Sequence, residues 1–379
     1  MDNRLQARLG AAFDRNFREH GEIGASVSVW QHGKPLLELH GGLADKKTAA
    51  PWTASTLIPI YSATKCASAA ALLLALHRRG LTADLQAGEL WPRFPAPRLT
   101  IAQILSHQAG LAALSRQANI FDLDDCIDAI EHTRPAWRPP AHGYHPHTFG
   151  PILDGLMRAL TGTRIGPWWE KNIRRPLGLD LYIGLPENEH HRVGTLYPGK
   201  AAGLDLDTPF YRQYLASGTP IYRAFHSLSG IDSVRAMNTP AAWASASPAS
   251  GGLATAAGLA RFYQILLGHD APHLFPPSVL HDLATIRTQG DDLTLLTSTA
   301  FSCGAMLDPA DPATGLPLRR LFGGTGFGHA GAGGSHAFAL PSSGLSFAYT
   351  MNQMELSVLP AHKTVALVNS FLNEKSLHK

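Results

Sequence analysis

Between residues 4 and 19 the apolar side chains Leu5, Leu9, Ala12, Phe13 and Phe17 recur at helical spacing, so the chain opens on an amphipathic helix. The period then changes. Residues 25–30 and 35–40 read as strands, and Gln31-His32-Gly33-Lys34 between them gives the signal of a hairpin. A short strand-like segment at 57–61 leads into a second helix, from about Ser62 to Arg79, which Gly80 ends. Residues 67–76 of that helix are apolar nearly all round, the pattern of a helix buried on every side.

From Gly80 to about Leu295 the pattern predicts helix and loop. Helices are expected over 100–106, over 151–160 with Thr161-Gly162 as the stop, and over 253–267 with Gly268 as the stop. Residues 185–248 show few clear periods and many Gly, Pro and His, and read as a lid-like insertion. Strand patterns return at 301–307, 335–340 and 345–351. Pro341-Ser342-Ser343-Gly344 turns the chain between the last two, and a helix over about 360–372 closes it. Strands at both ends with helices between predict an α+β fold, sandwich-like: one antiparallel sheet built from the N- and C-terminal segments and flanked by helices, with a mostly helical lobe inserted. The corresponding division is 1–78 with 296–379 for the sheet domain and 79–295 for the insertion. At 379 residues the chain is long for one simple core, which agrees with two lobes.

Composition narrows the functional classes. Apolar residues are 45% and charged residues 16%, an ordinary globular balance. Thirty-two basic against 29 acidic residues leave a net charge of +3 without a long basic run, so no nucleic-acid footprint is visible. Cys66, Cys126 and Cys303 are odd in number and far apart, which argues against a disulfide framework and suits a reducing compartment. The first nine residues carry charges where a signal peptide needs an apolar stretch, and the longest apolar run, 69–76, is too short for a bilayer. The expectation is a soluble cytoplasmic protein, without a membrane or nucleic-acid partner.

Ser62-Ala63-Thr64-Lys65 is an S-x-x-K motif. On a helix, residues three apart share a face with Cβ atoms about 5–6 Å apart, so the lysine amine reaches the serine hydroxyl. At a helix start the serine's own N–H is free to bind an oxyanion. A serine hydroxyl attacks only when a base takes its proton, and a lysine serves as base only when burial or nearby positive charge lowers its pKa. The motif alone is weak, as Ser376-Leu377-His378-Lys379 matches it too. Ser62 stands apart by context: a strand precedes it and a strongly apolar helix follows.

The segment Thr56-Leu57-Ile58-Pro59-Ile60-Tyr61-Ser62-Ala63-Thr64-Lys65 resembles the serine β-lactamase and penicillin-binding-protein superfamily, and is most similar to its class C β-lactamase-like branch, which includes the family VIII carboxylesterases. Residues 99–111, Ser250-Gly251-Gly252-Leu253-Ala254-Thr255 and Gly328-His329-Ala330-Gly331-Ala332-Gly333-Gly334 resemble further segments of that branch in order. The resemblance implies Ser62 as nucleophile, Lys65 and Tyr144 as a coupled proton-transfer pair, and the Ala332 N–H as second oxyanion donor. Where the family has Y-x-N, this chain has Tyr144-His145-Pro146, so the side chain that would hold a substrate's amide group is missing. Where the family has K-T-G, it has His329-Ala330-Gly331, which assigns His329 and Gly331 to substrate binding.

The implied activity is cleavage of small-molecule carboxylic esters of short to medium acyl chain through an acyl-enzyme on Ser62. A β-lactamase, a D-alanyl peptidase or an acyltransferase would use the same residues, and a non-catalytic binding protein could share the fold. His142, His145 and His147 form the competing signal, but H-x-x-H-x-H lacks an acidic neighbour and matches no H-E-x-x-H pattern, so neither a metal nor a cofactor is expected. His107 is expected to lock a turn. The glycines between 323 and 334 lack P-loop and Rossmann spacing, and are expected to leave room for substrate.

Overall fold

The computed structural model describes residues 3–199, 206–231 and 233–372. The second S-x-x-K match, at 376–379, lies outside the described residues, as do small parts of the 185–248 segment.

Nine antiparallel strands form the main sheet, in the order Ala50–Pro51, Lys34–Asp45, Gly24–Gln31, Leu345–Met351, His336–Leu340, Phe327–Ala330, Met306–Leu307, Ser298–Phe301 and Thr288–Asp291. The first and last thirds of the chain meet where Val27 pairs with Tyr349 and Val29 with Phe347. The expected hairpin closes on His32-Gly33, both at positive φ (48° and 80°), the backbone of a two-residue turn that matches strand twist.

Side-chain size alternates across the sheet with the two-residue period of a strand. Phe338, Phe347 and Tyr349 face the two terminal helices, Asn3–Glu19 and His362–Leu372, and share a core with Leu9, Phe13, Val368 and Phe371. Ala337, Ala339 and Ala348 face the other way, into a core that holds the helices Thr64–His77 and Ala256–Leu266. Small residues on that face leave room for the buried helix that carries the S-x-x-K motif. Every residue from Thr64 to Leu76 is buried, as the apolar run predicts.

Three expected elements differ in detail. The 253–267 helix begins only at Ala256. Gly252–Ala254 is instead the middle strand of a small sheet, between Ile58–Pro59 and Leu181–Ile183, and Thr255 caps the helix by accepting the Gly258 N–H at 3.0 Å. The 301–307 strand is two short strands, because the chain turns at Gly304 (φ 95°) and pairs Phe301 with Met306. The lid-like segment contains short helices, including Pro209–Leu215, Pro220–His226 and Pro240–Ala244, each with threonine as N-cap and proline at its start. These runs of five to seven residues are too short to show a helical period. The outermost strand of the main sheet, Thr288–Asp291, comes from ahead of residue 296, so sheet and helical region interleave there. The three cysteines are unpaired and buried. Among the described residues no helix is long and apolar enough to cross a membrane.

Candidate active site

The turn that presents Ser62 is held from two sides. Residues Tyr61–Ala63 form a single 3₁₀ turn ahead of the buried helix, and Tyr61 enters it at φ 47°, a conformation that a non-glycine residue adopts only under constraint. Thr64 supplies part of that constraint. Its hydroxyl donates to the Tyr61 carbonyl at 2.6 Å and accepts the Gly252 N–H at 3.0 Å, while the Ile60 N–H bonds the Gly252 carbonyl at 2.9 Å. A Cβ at position 252 would lie 2.4 Å from the Thr64 hydroxyl oxygen, so the Ser250-Gly251-Gly252 segment needs glycine there to reach the turn.

Lys65 is fully buried, and its Nζ lies 2.9 Å from Ser62 Oγ, 2.7 Å from the Pro146 carbonyl and 3.0 Å from the Ala249 carbonyl. Burial holds its pKa well below the ordinary lysine value. A neutral amine has two protons and one lone pair. The two carbonyls can only accept, so they fix both protons, and the lone pair is left to face the serine hydroxyl. The arrangement can therefore take a proton from Ser62.

Tyr144 completes the group. Its side chain is buried and lines the cavity beside Ser62, burial raises the phenol pKa while the nearby Ser62 hydroxyl opposes the rise, and the lysine Nζ lies 4.9 Å from its ring centroid. The backbone under Tyr144 is clamped by Asp292, a residue the sequence did not single out. The Asp292 carboxylate accepts the Tyr144 N–H with both oxygens, at 3.0 and 3.1 Å, and also the N–H groups of Thr294 and Leu295. Thr299 donates its hydroxyl proton to Asp292, so it accepts from His142 Nε2 at 2.9 Å. His142 Nδ1 then accepts from Thr288 at 3.1 Å. His145 accepts the Leu111 N–H at Nε2, which puts its proton on Nδ1, 2.8 Å from the Gly143 carbonyl. Both rings of this pair are thus committed at both nitrogens, and among the described residues no cluster of His, Cys, Asp and Glu is arranged to hold a metal ion. His107 sits at φ 64° behind Tyr144, accepts the His145 N–H, and packs on the Phe301 ring, in keeping with a turn-locking role.

The third segment divides its residues between wall and support. Ala332 lines the cavity beside Ser62. Of the four N–H groups from Gly331 to Gly334, three have acceptors: Ser335 O at 2.6 Å, Ser357 O at 3.0 Å and Gly331 O at 3.2 Å. The Ala332 N–H is the one uncommitted among them, and the Ser62 N–H likewise has no acceptor among the described residues. Gly331 lies under the serine turn, where a Cβ would come within 2.1 Å of the Ile60 carbonyl oxygen. His329 is buried in its strand behind Tyr144, at 6.0 Å between ring centroids, and its Nδ1 bonds the adjacent Ala330 carbonyl at 2.7 Å. Burial holds it neutral, so it presents no cation to a ligand.

The cavity over Ser62 encloses about 200 Å³. Tyr211, Tyr214 and Phe225 from the lid-like segment line it, together with Met354, Leu356 and Val358. Pro146 and His147 also line it, and burial lowers the His147 pKa to about 3. Among the described residues the lining includes no lysine or arginine, and Glu355 is the one carboxylate residue.

The antiparallel sheet between helical layers, with an S-x-x-K serine at the start of the buried helix, defines a serine β-lactamase-like protein. Comparison with known proteins agrees. The Beta-lactamase family model matches residues 13–369. An Esterase/beta-lactamase LipL of Mycobacterium tuberculosis is 28% identical over 352 residues, covering 87% of this chain and 77% of that protein. Among solved structures, a penicillin-binding protein homolog from Caulobacter crescentus is 30% identical, with a TM-score of 0.81 over 98% of this chain and 97% of that one. A family VIII carboxylesterase is 27% identical, with a TM-score of 0.83 over 97% and 96% of the two chains. The chain belongs to the beta-lactamase family and is a hydrolase of that fold.

Proposed function

We propose that the protein is a carboxylesterase acting on uncharged esters by two-step acyl transfer. Ser62 attacks the ester carbonyl as Lys65 takes its proton. The Ser62 and Ala332 N–H groups hold the oxyanion, a contribution of about 10²–10³ in rate for one donor. Tyr144 relays the proton to the leaving alcohol, and water, deprotonated by the same pair, releases the acyl group. The observation that carries the choice of ester over β-lactam is the cavity's chemistry: largely apolar and aromatic walls, Pro146 where an amide side chain would hold the substrate's amide, and, among the described lining residues, no lysine or arginine to receive a carboxylate. A neutral His329 behind the wall supports the same reading. A site without a partner for a polar group gains nothing from that group's presence. The three free cysteines support a cytoplasmic setting. The test is kcat/KM for p-nitrophenyl butyrate and for nitrocefin on one preparation. The ester is expected to be hydrolysed far better, and a higher value for nitrocefin would overturn the assignment.

A further inference from the structure

A second charged cluster is buried away from Ser62. Lys363, near the start of the C-terminal helix, is 1% exposed, and its Nζ lies 3.1 Å from Glu22 Oε1. Glu22 also accepts the Tyr349 hydroxyl, and the Lys363 Nζ donates to the Gln353 carbonyl at 2.5 Å. A buried ion pair recovers little net stability, because desolvation offsets the Coulomb attraction and apolar replacements of both partners are often tolerated. Its geometric consequences are easier to trace. Lys363 holds the chain at Gln353, and its own N–H bonds Glu355 Oε1 at 3.2 Å. The Glu355 N–H bonds the Gly333 carbonyl at 2.9 Å, and the Gly333 N–H bonds the Ser357 carbonyl at 3.0 Å. The next residue of the helix, Thr364, donates to the Gly334 carbonyl at 2.8 Å. These bonds converge on the two residues that follow Ala332.

We propose that Lys363, braced by Glu22, is a positioning residue for ester hydrolysis: it fixes the 353–357 segment against Gly333 and so aims the Ala332 N–H at the oxyanion. The inference rests on the esterase reading and on Ala332 as an oxyanion donor. Lys363 does not line the cavity over Ser62. Its effect falls on the transition state, where the donor matters most, and little on ground-state binding.

The test uses the full chain carrying Glu22→Gln and Lys363→Met together, which removes both charges and leaves neither buried alone. For wild type and variant, one measures thermal melting, kcat and KM on p-nitrophenyl butyrate, and the rate ratio between this ester and its thionoester. A sulfur oxyanion is a poorer acceptor, so that ratio reports how well the donors are aimed. The variant should melt within a few degrees of wild type, with kcat down about 10–100-fold, KM within about twofold, and the ester-to-thionoester ratio reduced about tenfold. A folded variant with the wild-type kcat and ratio overturns the brace, and so does a lower kcat with an unchanged ratio. If the double variant does not fold, Thr364→Val carries the same test, with a loss of about three- to tenfold expected in both kcat and ratio. Wild type that turns over no ester, with Ser62 unlabelled by a fluorophosphonate, defeats the esterase reading itself. Wild-type ester turnover beside an unaffected variant defeats only the brace.

Discussion

Lys65 and Lys363 are both buried, yet they face opposite surroundings. Lys363 meets a carboxylate, Glu22, at 3.1 Å. Lys65 meets only neutral oxygens, those of Ser62, Pro146 and Ala249, and burial drives its pKa well below the usual value. The difference shows what turns a buried lysine into a base. Burial alone makes the charge costly, and a counter-ion restores it; without one, the amine gives up its proton and keeps a lone pair. At Lys65 the two carbonyl acceptors add direction, because they leave that lone pair only the serine to face.

Removing each amine separately should separate the two roles. Lys65→Met is expected to lower kcat by about 10⁴-fold, the upper end for loss of a general base. Its unfolding free energy should change by no more than about 2 kcal/mol, the cost of the two carbonyls left unpaired. Tyr144→Phe should also cost orders of magnitude, and combining it with Lys65→Met should add little, since the two act on one proton. Lys363→Met alone should do the reverse: a stability loss of about 3–5 kcal/mol, because Glu22 is left buried and unpaired, with a smaller effect on kcat. Steady-state kinetics beside denaturant melts reads both, and equal activity losses in the two variants would break the comparison.

Part of this contrast is visible in the sequence. The i, i+3 spacing of Ser62 and Lys65, ahead of an apolar helix, is a side-chain signature and can be read directly. The His32-Gly33 hairpin and the strands at both ends are legible for the same reason, since pattern and turn chemistry are local. The groups that set Lys65 are not. Pro146 O and Ala249 O are backbone acceptors, 81 and 184 residues away, and a carbonyl leaves no trace in residue type. Asp292 acts on the backbone of Tyr144 across 148 residues and is equally silent. His329 misleads for the opposite reason. Its motif position implies the cavity wall, but the strand buries it, with Nδ1 turned to Ala330. The threonine-proline pairs of the lid, at 208–209, 219–220 and 239–240, are a signal that could have located its helices.

A smaller effect concerns acid stability. His145 and His336 are buried with pKa values lowered to about 3 and about 4, whereas the unfolded chain binds these protons near pH 6.5. A lowered folded pKa on a basic group means that the unfolded state gains the proton first. Stability is therefore full above about pH 6.5 and falls below it, by about 1.4 kcal/mol per pH unit for each ring, until the folded pKa is reached. Urea melts between pH 7 and pH 5 should show this loss, and a flat profile would mean that the rings are not held neutral.

The central claim is that a neutral Lys65 activates Ser62, and the rate of fluorophosphonate labelling against pH tests it most directly. Peptide mass spectrometry should find the label on Ser62. The rate should rise to its plateau well below pH 10, as the lowered lysine pKa requires. Labelling of another serine, or a rate still climbing through pH 10 as an ordinary lysine would give, would contradict the account.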